Sequence, residues 1–155
     1  MSESAVVYTG GCQCGAVRFR AGGLGRATMC HCRICQKAFG SIGALLVTVH
    51  DLTWTRGQPA HYRSSSKVRR GFCSACGTPL TFEDGGVEIA MGAFDNPSAI
   101  RPTEQLATES KISWADSLPN LPERSPERKA DAAAKQAVIQ TLQHPDHDTD
   151  AWPRR

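Results

Sequence analysis

Three thiols fall within six residues in Cys30-His31-Cys32-Arg33-Ile34-Cys35, one ligand short of the four that zinc normally takes. A second cluster, Cys73-Ser74-Ala75-Cys76-Gly77, has zinc-knuckle spacing: two sulfurs converge on one ion, and the glycine lets backbone amides approach the thiolates. Cys12-Gln13-Cys14 is the third, and together the clusters use all 7 cysteines. Spacing alone leaves the knuckle's partner open. If it joins Cys32 and Cys35 in a four-cysteine ribbon, then Cys12, Cys14 and Cys30 have no assignment. If it joins Cys12 and Cys14, every cysteine is used and the triplet stays together. A closed four-thiolate site is structural, whereas three protein ligands with an open position is the arrangement of catalytic zinc. His31 is the rival fourth ligand. On so short a loop its ring should point away from an ion clasped by its neighbours, so it is expected to pack or to hydrogen-bond a sulfur.

Arg33 and Lys37 flank the triplet and are the expected substrate-binding cations beside its open position. Their plainer role is that of exposed charges on a short helix. An odd number of cysteines would leave one thiol unpaired in a disulfide framework, and clustered cysteines in a reducing compartment hold metal more often than disulfides. A thioredoxin-type role for Cys32-x-x-Cys35 expects a βαβ context, which the chain lacks.

These clusters must be positioned by short strands. VRFRAGG, IGALLVTVH, AHYRS, VRRGF, PLTFEDGG, VEIAMGAF and LATESKISW, between residues 17 and 114, are strand-like runs broken by turn signals. Val17, Phe19 and Ala21 alternate with Arg18 and Arg20, which predicts a half-buried strand. Glu83-Asp84-Gly85-Gly86 is a hairpin turn. Trp54, Tyr62, Phe72 and Phe82 are expected to pack in the core. RICQKAF (33–39) predicts one helical turn or two before Gly40 stops it. A proline-punctuated linker follows Leu118. Beyond it Ser125 caps and Pro126 opens a helix whose weak stripe of Ala130, Ala134, Ala137, Val138 and Leu142 lasts until His144-Pro145. The last residues, from His144 on, read as a frayed tail with solvated histidines. The division expected is 1–119 for the zinc-binding domain and 120–155 for linker, helix and tail.

The chain has 155 residues, the length of one domain, with 40 % hydrophobic residues and only 6 % aromatics. That composition suits a turn-rich β protein stiffened by something besides aromatic packing. The start, MSESAVVYTGG, lacks a basic region followed by an apolar run, and no stretch reaches the length of a membrane span, so a cytoplasmic protein without membrane contact is expected. A net charge of +3 is mildly basic. The densest positive run, YRSSSKVRR up to Arg70, lacks interleaved aromatics and reads as a solvated strand face; nucleic-acid binding is not expected.

The order GGCQCGAVRF, CHCRICQKAFGS, GFCSACGTPLTF resembles the glutathione-dependent formaldehyde-activating (GFA) family, which includes the centromere protein V domain. The likeness covers about residues 7–119, with glycines at 11, 15 and 77, Pro79-Leu80 after the knuckle, and a closing segment Glu109-Ser110-Lys111 with Trp114. Gln105-Leu106 departs from the His-Ile that family members often carry there. The resemblance implies a mainly β fold, a β-tent of small stacked antiparallel sheets. It implies two zinc ions per chain: a structural one on Cys12, Cys14, Cys73 and Cys76, and a catalytic one on Cys30, Cys32 and Cys35. The implied activity is a carbon-sulfur lyase's, joining glutathione to formaldehyde as S-hydroxymethylglutathione. The alternative reading, from a different class, is a non-catalytic zinc-stabilised scaffold that binds a partner.

Overall fold

The computed structural model describes residues 6–151; the readings of residues 1–5 and 152–155 lie outside it. The fold is mainly β, in two sheets. The smaller sheet has three strands in the order β1 (Tyr8–Gly11), β2 (Arg18–Ala21), β5 (Thr53–Arg56). The larger has seven, running β10 (Glu104–Leu106), β3 (Gly23–Cys30), β4 (Ala44–His50), β9 (Val87–Ala90), β8 (Pro79–Glu83), β7 (Arg69–Phe72), β6 (Ala60–Arg63). Pairing is antiparallel throughout these sheets except where β10 runs parallel to β3. Central β4 buries Ala44, Leu46, Val47 and Val49, which explains its nearly unbroken apolar run. Phe19, Val47, Leu80 and Ile89 are fully enclosed between the sheets. Trp54 and Phe94 meet Phe19 edge-on at 6.0 and 5.1 Å.

Several expectations meet a different outcome. Residues 106–114 are not a strand: β10 ends at Leu106, Ala107 takes φ 53, and a 3-10 turn covers Thr108–Ser110. Strand β3, glycine-rich and unremarkable in sequence, exists because β4 and β10 pair with both its edges. Arg18 lies inside instead of alternating outward, since the register shifts between Arg18 and Phe19 and two carboxylates receive the guanidinium. Tyr62 stays exposed on edge strand β6, its ring against Phe72. The hairpin at Gly85 (φ 72) forms as expected.

Helix α1 (Arg33–Phe39) matches its expected span and is stopped by Gly40. Helix α2 (Pro126–Ala137) starts at the expected cap, where Ser125 Oγ accepts from the Arg128 amide, but ends before Val138. It buries none of its residues, so no packing carries it through the β-branched Val138-Ile139. The tail is not frayed over its described length, because polar contacts anchor it. The His144 amide donates to the Gln13 carbonyl at 2.7 Å, Arg56 reaches the His144 ring and Thr149, and Arg18 holds Asp148 at 2.7 Å. His144 is 3 % exposed. Among the described residues no helix is long and apolar enough to cross a membrane.

Candidate functional site

Two cysteine clusters form, with the membership 12/14/73/76 and 30/32/35. The first is built from two turns. One joins β1 to β2 and carries Cys12 and Cys14; the other joins β7 to β8 and carries Cys73 and Cys76. Gly15 (φ 74) and Gly77 (φ 79) take left-handed conformations that let each turn close, with Gly15 and Gly77 amides donating to the Cys12 and Cys73 carbonyls. Thr78 ties the turns together: its hydroxyl oxygen accepts from the Gln13 amide at 3.0 Å and lies 3.1 Å from Cys76 Sγ.

The four sulfurs lie within 4.8 Å of one another, with Cys12 to Cys14 at 3.6 Å and Cys14 to Cys73 at 3.8 Å. A tetrahedron with metal–sulfur bonds of about 2.3 Å has edges of about 3.8 Å, so the donor set and spacing are compatible with zinc. These separations are far beyond a disulfide bond of about 2.05 Å, and all seven cysteines are free. Burial pushes Cys12 up to about 12. Against its burial, hydrogen bonds from the Thr78 hydroxyl and amide pull Cys76 down to about 6. Thiols of such different acidity do not ionise together at neutral pH unless a cation joins them.

The triplet sits where β3 passes into α1. Cys30 ends the strand, Cys32 caps the helix by accepting the Cys35 amide at 3.3 Å, and Cys35 lies in the first turn. The cap is therefore also a candidate ligand. The three sulfurs lie within 4.8 Å of one another, and among the described residues no fourth His, Cys, Asp or Glu joins them. Burial opposes ionisation of Cys32, but hydrogen bonds from the Cys35 amide, the Cys35 and Cys30 thiols and the Ile34 amide together outweigh it and lower the thiol below its ordinary value; burial raises Cys35 to about 12. His31 does point away from the cluster, yet it bonds no sulfur. It is buried with Nε2 2.9 Å from Gln105 Oε1, so β10 sets the ring's direction. Gln36, also buried, donates to the His31 and Ser110 carbonyls and fastens the triplet loop to the segment after β10.

Arg33 and Lys37 are both exposed on α1, and Arg33 reaches Gln36 at 3.2 Å. The cation that touches the cluster is Arg70, from the run read as a solvated face. Only 4 % exposed, it brings Nη2 to 3.3 Å from Cys35 Sγ and stacks on Phe82, 4.9 Å from the ring centroid. Phe82 thus packs beneath a guanidinium as well as in the core. A signal was present: Arg70 sits at period two between Val68 and Phe72, on the inward face of β7, while Arg69 faces out. Beside the triplet, Phe39 borders an apolar groove of about 370 Å³ with Met29, Ile42, Leu45 and Pro79. No cysteine lines this groove, so it is adjacent to the cluster and not part of it.

Two sheets carrying one four-sulfur and one three-sulfur cluster define a mainly β protein with two cysteine sites able to hold metal ions. The sequence matches the family model described as "Glutathione-dependent formaldehyde-activating enzyme" over residues 7–110, and the chain belongs to that GFA family. Among solved structures, a crystal structure of a Rhodobacter sphaeroides protein is 22 % identical. It aligns with a TM-score of 0.49 over 63 % of this chain and 98 % of that one. No curated protein matches the chain.

Proposed function

We propose that the protein is a zinc-dependent carbon-sulfur lyase that adds a thiol such as glutathione to formaldehyde or a related aldehyde. The observation that carries this reading is the unequal division of the cysteines in a GFA-family chain: four sulfurs lie within 4.8 Å of one another, enough for a closed zinc site, while Cys30, Cys32 and Cys35 have no fourth protein partner among the described residues. In this reading Cys12, Cys14, Cys73 and Cys76 hold a structural zinc, and the triplet holds a second. Zinc bound by the triplet supplies Lewis acidity, which favours the thiolate form of a thiol at neutral pH.

The chain's own residues do the rest. Cys32 fixes the helix start and thereby the spacing of the three sulfurs, and Gln36 holds their loop against the segment after β10. Arg33 and Lys37, exposed next to the triplet, are the proposed contacts for the carboxylates of a thiol such as glutathione. In the reaction the thiol loses its proton, its sulfur forms a bond to the aldehyde carbon, the carbonyl π bond breaks and the oxygen takes up a proton. Nothing is oxidised or reduced. The test is consumption of glutathione and formaldehyde by zinc-loaded protein against the spontaneous rate at the same pH. A rate above the spontaneous one that disappears in Cys32→Ser is expected; a parent that never exceeds it refutes the enzyme reading and leaves the scaffold.

A further inference from the structure

We propose that Arg70 is the fixed counter-cation of the three-cysteine site, a positioning residue that lets the site accept an anionic fourth ligand; this rests on reading that site as an open metal centre. A guanidinium 4 % exposed needs an opposite charge close by, since burying an uncompensated ion is costly. Among the described residues no carboxylate forms an ion pair with Arg70. Its Nε donates to the neutral Ser64 hydroxyl at 2.9 Å, Nη1 has no partner, and Nη2 lies 3.3 Å from Cys35 Sγ. The rings of Phe82 and Phe39, with centroids at 4.9 and 5.9 Å, flank the guanidinium and favour a cation there. The Cys35 sulfur, as a thiolate, is the counter-ion that the fold provides.

The charge count gives this contact its consequence. Three thiolates and a divalent ion sum to −1, so a fourth thiolate would bring the centre to −2. With Arg70 in contact the running total is neutral before the fourth ligand arrives and −1 after it. Arg33 and Lys37 are exposed, so solvent and salt screen them and they do not substitute for a buried charge.

Cobalt(II)-loaded protein tests the proposal, because visible absorption reports a new ligand at the second site while the full four-sulfur site stays unchanged. Two probes separate charge from shape: 2-mercaptoethanol, which binds as a thiolate, and imidazole, which binds neutral. Arg70→Gln should raise the dissociation constant of the thiol about tenfold and that of imidazole less than about twofold, whereas Arg70→Lys should stay within about threefold of the parent for both. Equal weakening of both probes, or an Arg70→Lys protein as poor as Arg70→Gln, would show a packing role and overturn the proposal. If Arg70→Gln does not fold, the folded Lys variant decides alone: retention of thiol binding supports the proposal, and its loss refutes it. A parent that binds neither probe refutes the open-site reading itself; a parent that binds both, with variants that lose both equally, refutes only the role of Arg70.

Discussion

Replacing Thr78 with Val keeps the branched shape and removes one hydroxyl, which the structure places between the two turns of the four-cysteine cluster. That hydroxyl lies 3.1 Å from Cys76 Sγ and 3.0 Å from the Gln13 amide. A hydrogen bond to a charged acceptor contributes about 1.5–3 kcal/mol, and sulfur belongs at the low end of that range. The Gln13 amide lies on an exposed turn where water can take over, adding at most about 0.5 kcal/mol. The sum is about 2 kcal/mol, or roughly thirtyfold in metal affinity at 1.4 kcal/mol per decade. Competition with a chromophoric chelator measures it. Thr78→Val should yield the metal of the four-cysteine cluster about thirtyfold more readily, and Thr78→Ser should behave like the parent. A Val variant indistinguishable from the parent would refute the claim that this hydroxyl supports Cys76 as a thiolate ligand.

Other perturbations separate buried from exposed contacts. Asp95 takes both Arg18 nitrogens at 2.6 and 2.7 Å with side chains 11 % and 4 % exposed, so Asp95→Asn should cost about 3 kcal/mol in urea unfolding. Asp148, 45 % exposed, should cost at most about 0.5 kcal/mol as Asn; equal losses would contradict the burial argument. The His144 ring is held neutral, Nδ1 donating to the Pro145 carbonyl and Nε2 accepting from Arg56. Burial first, then the nearby Arg18 and Arg56 charges, lowers its pKa below 6.5, although Asp95 and the Pro145 bond act the other way. Tail docking should therefore be complete above pH 6.5 and weaken as the pH falls through the folded value; an NMR titration placing His144 at or above 6.5 would sink this. Deleting residues 120–155 tests the proposed division of the chain: both clusters should keep their metal by elemental analysis, and loss of the first would show that the tail belongs to that site.

Element type was readable wherever a local rule decided it. Arg33–Phe39 and Gly40 gave the helix and its stop, while the cap by Cys32 emerged only in the structure, and Gly85 gave the hairpin. What pairing alone creates was not readable: β3, with Gly23 and Gly25, has no strand propensity and exists through its two neighbours. The cluster membership was legible because cysteine spacing and the count of seven constrain the choice. Its surroundings were less so: Thr78 and Gln36 act through Gln13 and Ser110, distant in sequence, and the period-two position of Arg70 was masked by the charge of its run. Charge patterning sent Arg18 and Arg70 to the surface, where solvation is the default; partners distant in sequence, Asp95 and Cys35, hold them inside.

The proposed division puts a closed site on Cys12, Cys14, Cys73 and Cys76 and an open one on Cys30, Cys32 and Cys35. Zinc per chain, measured on Cys32→Ser beside the parent after purification under reducing conditions, tests it most directly. Two ions are expected in the parent and one in the variant, with the β circular dichroism signal unchanged, because a hydroxyl is a far poorer zinc ligand than a thiolate. One ion in the parent, or a Cys32→Ser chain that loses both ions and its fold, would contradict it.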